Sequence, residues 1–394
     1  MRVFGVVVAA AGLLLAGAGA TGREPRPDQT GLPAVLAERR IRDADIAFFQ
    51  KRVARDSTGA IDLVRLGGLR LARYRQTGDE LELVSAEAAA RQSLGNRSQR
   101  NPGAWQLLTA ALLGQHRFVE AESAAQALVR QAPDDGTSRA ILGEVWLELG
   151  RYRGADSLFR PLIAQRFNPA ITPRYARWCE LRGRAAEARR LIEAAGDLAR
   201  SRAHMSRDQL AWYELRLGEL ALRFGALREA RKRLDAGLAI VPDDWRLLAA
   251  RARLALEQGE ARAAIVLGDS SLNRHLDPAT LATVGDAWQR LGDSSQAEEY
   301  FRAMETLTSA PRGGFHRTWY LALLDHGRRV PEILGAVRKD LESRQDIYGW
   351  DLLAWSLYRS GRISEARGAI RQALAWNDED PLLRRHSRAI EEVR

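Results

Sequence analysis

A glycine recurs along the chain at nearly constant intervals, and this regularity limits the possible fold more than any other feature. Successive intervals are 33, 42, 34, 33, 35 and 34 residues, between Gly150, Gly183, Gly225, Gly259, Gly292, Gly327 and Gly361. His116 takes the same position 34 residues before Gly150. From Ile141 to Phe159, Gly150 separates two apolar helix faces. The pattern predicts repeated pairs of α-helices with a period of about 34 residues.

A second regularity concerns small side chains. A small residue lies seven positions before the glycine, and an alanine follows twelve positions after that small residue. The pairs are Gly143/Ala155, Ala176/Ala188, Gly218/Ala230, Ala252/Ala264, Gly285/Ala297 and Ala354/Ala366. We expect the two helices of each pair to approach closely there, because a larger side chain would overpack the contact by roughly 1–3 kcal/mol.

These positions resemble the tetratricopeptide repeat. Seven positions of the family pattern are filled in the clearest copy, by Leu142, Gly143, Trp146, Gly150, Tyr152, Ala155 and Phe159. The resemblance covers residues 57–379 and implies an all-α superhelix, a tetratricopeptide repeat solenoid of about nine helical hairpins. We expect capping helices at residues 33–56 and 380–394, with Asp380 as the N-cap of the second. The arrangement is similar to secreted bacterial repeat proteins without an assigned biochemical role.

The first twenty residues differ in composition from the rest. After Arg2, residues 3–19 carry no charge, and Ala18-Gly19-Ala20 places small residues where a signal peptidase cleaves. We interpret residues 1–20 as a signal peptide cleaved after Ala20 and residues 21–32 as a linker. The protein is then periplasmic or secreted. The alternative is a retained anchor, since the apolar run is nearly long enough to span a membrane; any membrane contact would occur through this uncleaved segment.

The chain is basic, with 60 Lys and Arg against 50 Asp and Glu and a formal charge of +10. The basic residues alternate with glutamates along helix faces and form no dense block. We therefore do not expect nucleic acid as a partner, and export would also separate the protein from it. Cys179 is the single cysteine, which excludes an intramolecular disulfide. Its spacing predicts a small buried apolar side chain.

The sequence lacks the common catalytic and metal-binding motifs. It contains no H-E-x-x-H, no G-x-S-x-G, no phosphate-binding glycine loop and no Cys/His cluster with metal spacing. We predict that the protein is not an enzyme and has no cofactor, metal or catalytic residue.

The resemblance implies that the concave face, formed by the first helix of each hairpin, holds the partner. The predicted binding residues there are Arg177, Trp212, Glu219, Arg223, Arg246, Arg253, Asp286, Arg290 and Trp355. Trp and Arg are typical of binding hot spots, and the arginines favour an acidic or carboxylate-bearing ligand. The sequence thus predicts an exported, non-catalytic scaffold that binds a peptide or protein in this groove. The alternative is an assembly or export factor associated with envelope polysaccharide or peptidoglycan.

Overall fold

The computed structural model describes residues 31–163, 168–202, 205–309 and 316–393. The predicted signal peptide and residues 21–30 of the predicted linker lie outside these ranges. Within them every regular element is an α-helix, which confirms the all-α prediction. No helix of the described ranges is both long enough and apolar enough to cross a membrane.

In these ranges eighteen helices form nine consecutive hairpins, with one further helix at each end, as the sequence predicts. The chain begins with α1 (Leu32–Arg55) and ends with α20 (Pro381–Glu391). The first helices of the hairpins are α2 (Ala60–Thr77), α4 (Pro102–Gly114), α6 (Gly136–Glu148), α8 (Thr172–Leu181), α10 (Arg207–Arg223), α12 (Trp245–Glu257), α14 (Pro278–Arg290), α16 (Arg317–Asp325) and α18 (Ile347–Arg359). The second helices are α3 (Glu80–Asn96), α5 (Phe118–Gln131), α7 (Tyr152–Ile163), α9 (Ala185–Arg200), α11 (Leu227–Ile240), α13 (Ala261–Leu272), α15 (Ser294–Ser309), α17 (Val330–Leu341) and α19 (Ile363–Leu374).

The recurring glycines end the first helix of their hairpins in a left-handed backbone conformation. Their φ angles lie between 70° and 84°, a region that other residues adopt only at an energetic cost. At Gly150 the amide donates to the Leu147 carbonyl at 3.2 Å, and the Arg151 amide donates to the Trp146 carbonyl at 2.8 Å. His116 adopts the same conformation, with φ 58°, and so takes the turn position that its spacing indicates.

The small residues allow close packing of the two helices, but their contact partners differ from those that the sequence predicts. A Cβ atom added at Gly143 would lie 2.9 Å from the Phe159 ring, and one added at Gly285 would lie 2.4 Å from the Phe301 ring. The close contact therefore joins a small residue to a large one sixteen positions later. Ala155, the predicted partner of Gly143, is fully buried four residues before that ring.

The hairpins coil so tightly that successive superhelical turns touch. Arg344 donates from Nε to the Glu148 carbonyl and from Nη2 to the Glu148 carboxylate, both at 2.8 Å, although the two residues are 196 positions apart. The Ile347 amide donates to the Tyr152 hydroxyl at 2.8 Å across 195 positions. With a repeat of about 34 residues, this separation corresponds to about six hairpins per turn. We call this contact the inter-turn seam; its residues are His116, Phe118, Glu148, Gly150 and Tyr152 on one turn and His316, Arg344, Gln345 and Ile347 on the next.

The terminal helices also contact distant parts of the array. α1 packs on α2, and its Val35 belongs to the apolar cluster of α10, α11 and α12. Arg39 of α1 forms a two-pronged hydrogen bond with Asp243, at 2.6 and 3.0 Å, 204 positions away. At the other end Asp380 caps α20 by accepting from the Leu382 amide at 2.9 Å. α1 therefore joins the first hairpin to the next superhelical turn as well as covering the end of the array.

Candidate functional site

The superhelix encloses an interior cavity with a volume of about 280 Å³. Its walls come from the first helices of six hairpins and from the segments that flank them. The lining residues are Tyr74, Arg75, Gly78, Glu80, Gly114, His116, Trp212, Leu215, Glu219, Trp245, Arg246, Ala249, Ala250, Arg253, His275, Asp277, Ala279, Thr280, Thr283, His316, Arg317, Thr318, Trp319 and Arg344. Aromatic rings and guanidinium groups thus share one enclosed space, a composition suited to binding.

Arginines outnumber carboxylates on the cavity walls, and the chain itself neutralises several of them. Arg246 forms a two-pronged ion pair with Asp244, at 3.0 and 2.6 Å. Arg344 is bonded to Glu148 across the inter-turn seam. Burial lowers the pKa of Arg317 to about 10, and this side chain is paired with Asp340. These three arginines have structural partners.

Arg75 differs from these arginines because its guanidinium lacks such a partner. Its Nε and Nη2 atoms are buried and have no hydrogen-bond partner among the described residues. Burial, together with the neighbouring cations Arg246 and Arg174, lowers the pKa of Arg75 to about 10. The Glu144 carboxylate acts on Arg75 electrostatically and raises its pKa, but no group of the described residues accepts a hydrogen bond from the two buried nitrogens. Because a buried donor group without an acceptor is costly, this wall of the cavity is attractive to an anion.

Two histidines close one side of the cavity at the inter-turn seam. The rings of His116 and His316 lie 4.1 Å apart, and His316 stacks on Trp319 at 3.8 Å. Burial lowers the pKa of His316 to about 4, and the Arg344 guanidinium adds to this effect. The pKa of His116 is also well below its usual value, first because of burial and then because of His316 and nearby arginines. Both rings are therefore uncharged at neutral pH.

Four of the nine predicted binding residues lie on the cavity wall. Trp212 and Glu219 project from α10, and Arg246 and Arg253 project from α12. The structure thus brings together the central part of the predicted groove. Their role in binding stays a prediction.

Arg177 and Arg223 lie outside the cavity and are buried by their own ion pairs. Both donate to the Glu180 carboxylate, at 3.0 and 2.9 Å, and Arg223 also pairs with Asp380 and Tyr348. Burial alone would raise the pKa of Glu180, but the surrounding guanidiniums outweigh it and lower the pKa to about 2. Arg223 therefore joins α10 to α8 and to the last turn of the array, whereas the ion pair of Arg177 lies within α8.

The remaining three predicted residues also lie outside the cavity. Asp286 is buried beside His326, with 3.0 Å between its carboxylate and the imidazole Nε2. Trp355 stacks on the buried His386 at 4.1 Å. Arg290 is exposed at the end of α14 and bonds to the Leu256 carbonyl. The nine predicted residues therefore do not form one continuous groove.

Comparison with known proteins bears on the family and the fold. The family described as "Tetratricopeptide repeat" matches residues 108–160. These residues therefore match the tetratricopeptide repeat, and the described chain folds as an all-α superhelical solenoid. Curated protein sequences give no match. The structure of the APC/C hetero-tetramer Cut9–Hcn1 superposes with a TM-score of 0.51 and 16% identity, over 85% of this chain and 56% of that one. A human IFIT1 dimer with m7Gppp-AAAA gives a TM-score of 0.52 and 14% identity, over 80% and 71% of the two chains.

These structural matches concern the fold of the chain. At such low identity they establish the superhelical architecture and leave the partner open. The chain spans 56% of the length of the Cut9–Hcn1 chain that it matches. Among the described side chains no group of three or more His, Cys, Asp or Glu is arranged to hold a metal ion.

Sequence reasoning missed several cavity residues of this repeat protein. They are Tyr74, Arg75, His116, Trp245, His275, His316 and Trp319. Most of them lie at the ends of the first helices, where adjacent turns meet, rather than along the middle of those helices. One signal was available in the sequence: His116 stands at a turn position that seven other hairpins give to glycine.

Proposed function

We propose that this repeat protein is an exported, non-catalytic scaffold that holds a short segment of a partner protein inside its superhelix. The observation that carries the proposal is the interior cavity, which gathers indole rings and guanidinium groups from both superhelical turns. Trp, Tyr and Arg are the side chains that contribute most to binding energy in protein interfaces. The cavity can take a few side chains of an extended segment and is too small for a folded domain.

Export is the part of the proposal that depends on the sequence of residues 1–20. An uncharged run followed by small residues at the cleavage point supports secretion. Fractionation of cells that produce the full chain, with the N-terminus of the recovered protein sequenced, tests it. We expect a chain that starts at Thr21 outside the cytoplasm. An intact chain beginning at Met1 in the cytosol would contradict export.

Site-specific photo-crosslinking tests whether a partner enters the cavity. Ala249 lies on the cavity wall, whereas Ala236 is exposed on the outer helix α11 of the preceding hairpin. A photoreactive residue at position 249 should cross-link to a partner polypeptide, and the same residue at position 236 serves as the matched control. Equal cross-linking from both positions would contradict binding in the interior.

A glycan titration separates this proposal from the polysaccharide alternative. The mature chain is titrated with soluble peptidoglycan fragments and followed by calorimetry. We expect no saturable binding. Saturable binding that a bulky substitution of Ala249 abolishes would favour the envelope-glycan alternative instead.

A further inference from the structure

Four buried polar atoms on the cavity wall lack hydrogen-bond partners among the described residues. They are Nε and Nη2 of Arg75, Nε1 of Trp245 and Nδ1 of His116. The Arg75 and Trp245 atoms are N–H donors, and the His116 atom can be one in the appropriate tautomer. A buried donor without an acceptor costs about 1–3 kcal/mol, so several donors around one space indicate an acceptor that this chain does not supply.

The charge of that acceptor follows from the groups around Arg75. The cations Arg246 and Arg174 are close enough to lower the pKa of Arg75, and each of them is paired with a carboxylate, Asp244 and Glu144 respectively. Arg75 has no such pair among the contacts of the described residues, and Glu144, the carboxylate that raises its pKa, is itself paired with Arg174, so the positive charge of Arg75 is only partly compensated in the interior. A negatively charged oxygen group would neutralise it and accept its two free N–H bonds together.

We propose that the cavity is an oxyanion-binding site in which Arg75 holds a carboxylate or phosphate group and Trp245 and His116 donate further hydrogen bonds. The site joins two superhelical turns, because Arg75 ends α2 of the first hairpin and Trp245 begins α12 of the sixth. A bound oxyanion therefore links these turns. The inference deepens the proposed function, since an acidic side chain of the bound segment can bring the oxyanion.

Three probes distinguish the source of the oxyanion. Inorganic phosphate represents a small free ion, a blocked hexaglutamate peptide represents an acidic segment, and a blocked hexaglutamine peptide controls for binding without charge. Each is titrated into the mature chain and followed by calorimetry. We expect saturable binding of hexaglutamate at least ten-fold tighter than that of hexaglutamine. Saturable binding of phosphate alone would keep the oxyanion site and assign it to a small ion.

The decisive variant is Arg75→Gln, with Arg290→Gln as its matched control. Both arginines lie in the last turn of a first helix, but Arg290 is exposed outside the cavity. Arg75→Gln should weaken oxyanion binding at least ten-fold, while Arg290→Gln should stay within two-fold of the native protein. Without ligand, the melting temperature of Arg75→Gln should equal or exceed that of the native chain, because the substitution removes a buried charge that forms no ion pair among the described residues. A purely structural arginine would give a lower melting temperature.

Three results would overturn the oxyanion site: no probe binds the native chain, hexaglutamine binds as tightly as hexaglutamate, or Arg75→Gln binds within two-fold of the native protein. These results are separable from the cross-linking test at position 249. Cross-linking without oxyanion binding would retain the scaffold and reject the site. Oxyanion binding without cross-linking would retain the site and reject the scaffold.

Discussion

Substitution of Gly150 by alanine tests whether the superhelical turns touch. The turn glycines have nearly the same backbone conformation but different surroundings. A Cβ atom at Gly150 would lie 2.4 Å from the Gln345 carbonyl oxygen and 2.7 Å from the Asp346 amide nitrogen, both on the next turn. A Cβ atom at Gly259 would meet nothing within 4 Å. Gly259→Ala is therefore the matched control.

The two variants share one energetic cost and differ in another. Gly150 has φ 77° and Gly259 has φ 80°, so alanine at either site loses about 1–2 kcal/mol from the left-handed conformation. At Gly150 the backbone of the next turn must also move, by about 1 Å if an ordinary contact distance is to be restored. Overpacking of this kind costs roughly 1–3 kcal/mol more. We expect Gly150→Ala to lose about 2–5 kcal/mol and Gly259→Ala about 1–2 kcal/mol.

Two measurements compare the stability of the Gly150→Ala and Gly259→Ala variants. Urea unfolding monitored by circular dichroism gives the relative stabilities. Amide hydrogen exchange at Ile347 reports the inter-turn seam directly, because this buried amide donates to the Tyr152 hydroxyl of the other turn. Its exchange should accelerate in Gly150→Ala and stay unchanged in Gly259→Ala. Equal losses of stability, with unaltered exchange at Ile347 in both variants, would refute the inter-turn contact.

Two further predictions concern titratable groups. The folded-state pKa of His316 is about 4, below the value of about 6.5 expected when unfolded, and that of His116 is lowered in the same direction. Stability should therefore be complete above pH 6.5 and fall as the pH drops towards 4, by about 1.4 kcal/mol per unit for each histidine. Urea midpoints at pH 7 and pH 5 measure this loss, and His316→Gln should reduce it; an unchanged loss would contradict the assignment. Cys179 is fully buried, and burial raises the pKa of its thiol to about 12. Thiol reagents should modify it in denaturant but hardly at all in the native chain at neutral pH, and rapid native modification would show that α8 opens readily.

Local sequence features were enough to predict the hairpins. The glycine intervals predict where the left-handed turns lie, and His116, which stands in place of a glycine, also adopts this conformation. The Asp380 cap was predictable for the same reason, because capping depends on neighbouring residues alone. By contrast, a small residue in the pattern does not show which side chain packs above it, so the contact between Gly143 and Phe159 required the structure.

The candidate site was harder to predict because it depends on how the hairpins coil. A small rotation between neighbours, accumulated over about six hairpins, decides which residues meet. Arg223 was expected to bind a partner, yet its acidic partner Asp380 lies 157 positions away on another turn. Arg75 was missed because its importance comes from a cavity wall that α12, far along the chain, supplies.

The inter-turn seam alters how unfolding can spread through the protein. In a linear array each repeat is stabilised by its two neighbours, so the ends can fray one hairpin at a time. Here a hairpin at the inter-turn seam also contacts the hairpin about six repeats further along. Stabilising contacts therefore run between superhelical turns as well as between neighbours in the chain. The side-chain amide of Asn377, close to the C-terminus, donates from Nδ2 to the Glu180 carbonyl at 3.2 Å, so loosening the last hairpin also removes a contact from α8. Fraying at the C-terminus is thus coupled to the middle of the chain. A partner that bridges the turns would raise the free energy of unfolding of the superhelix as a whole.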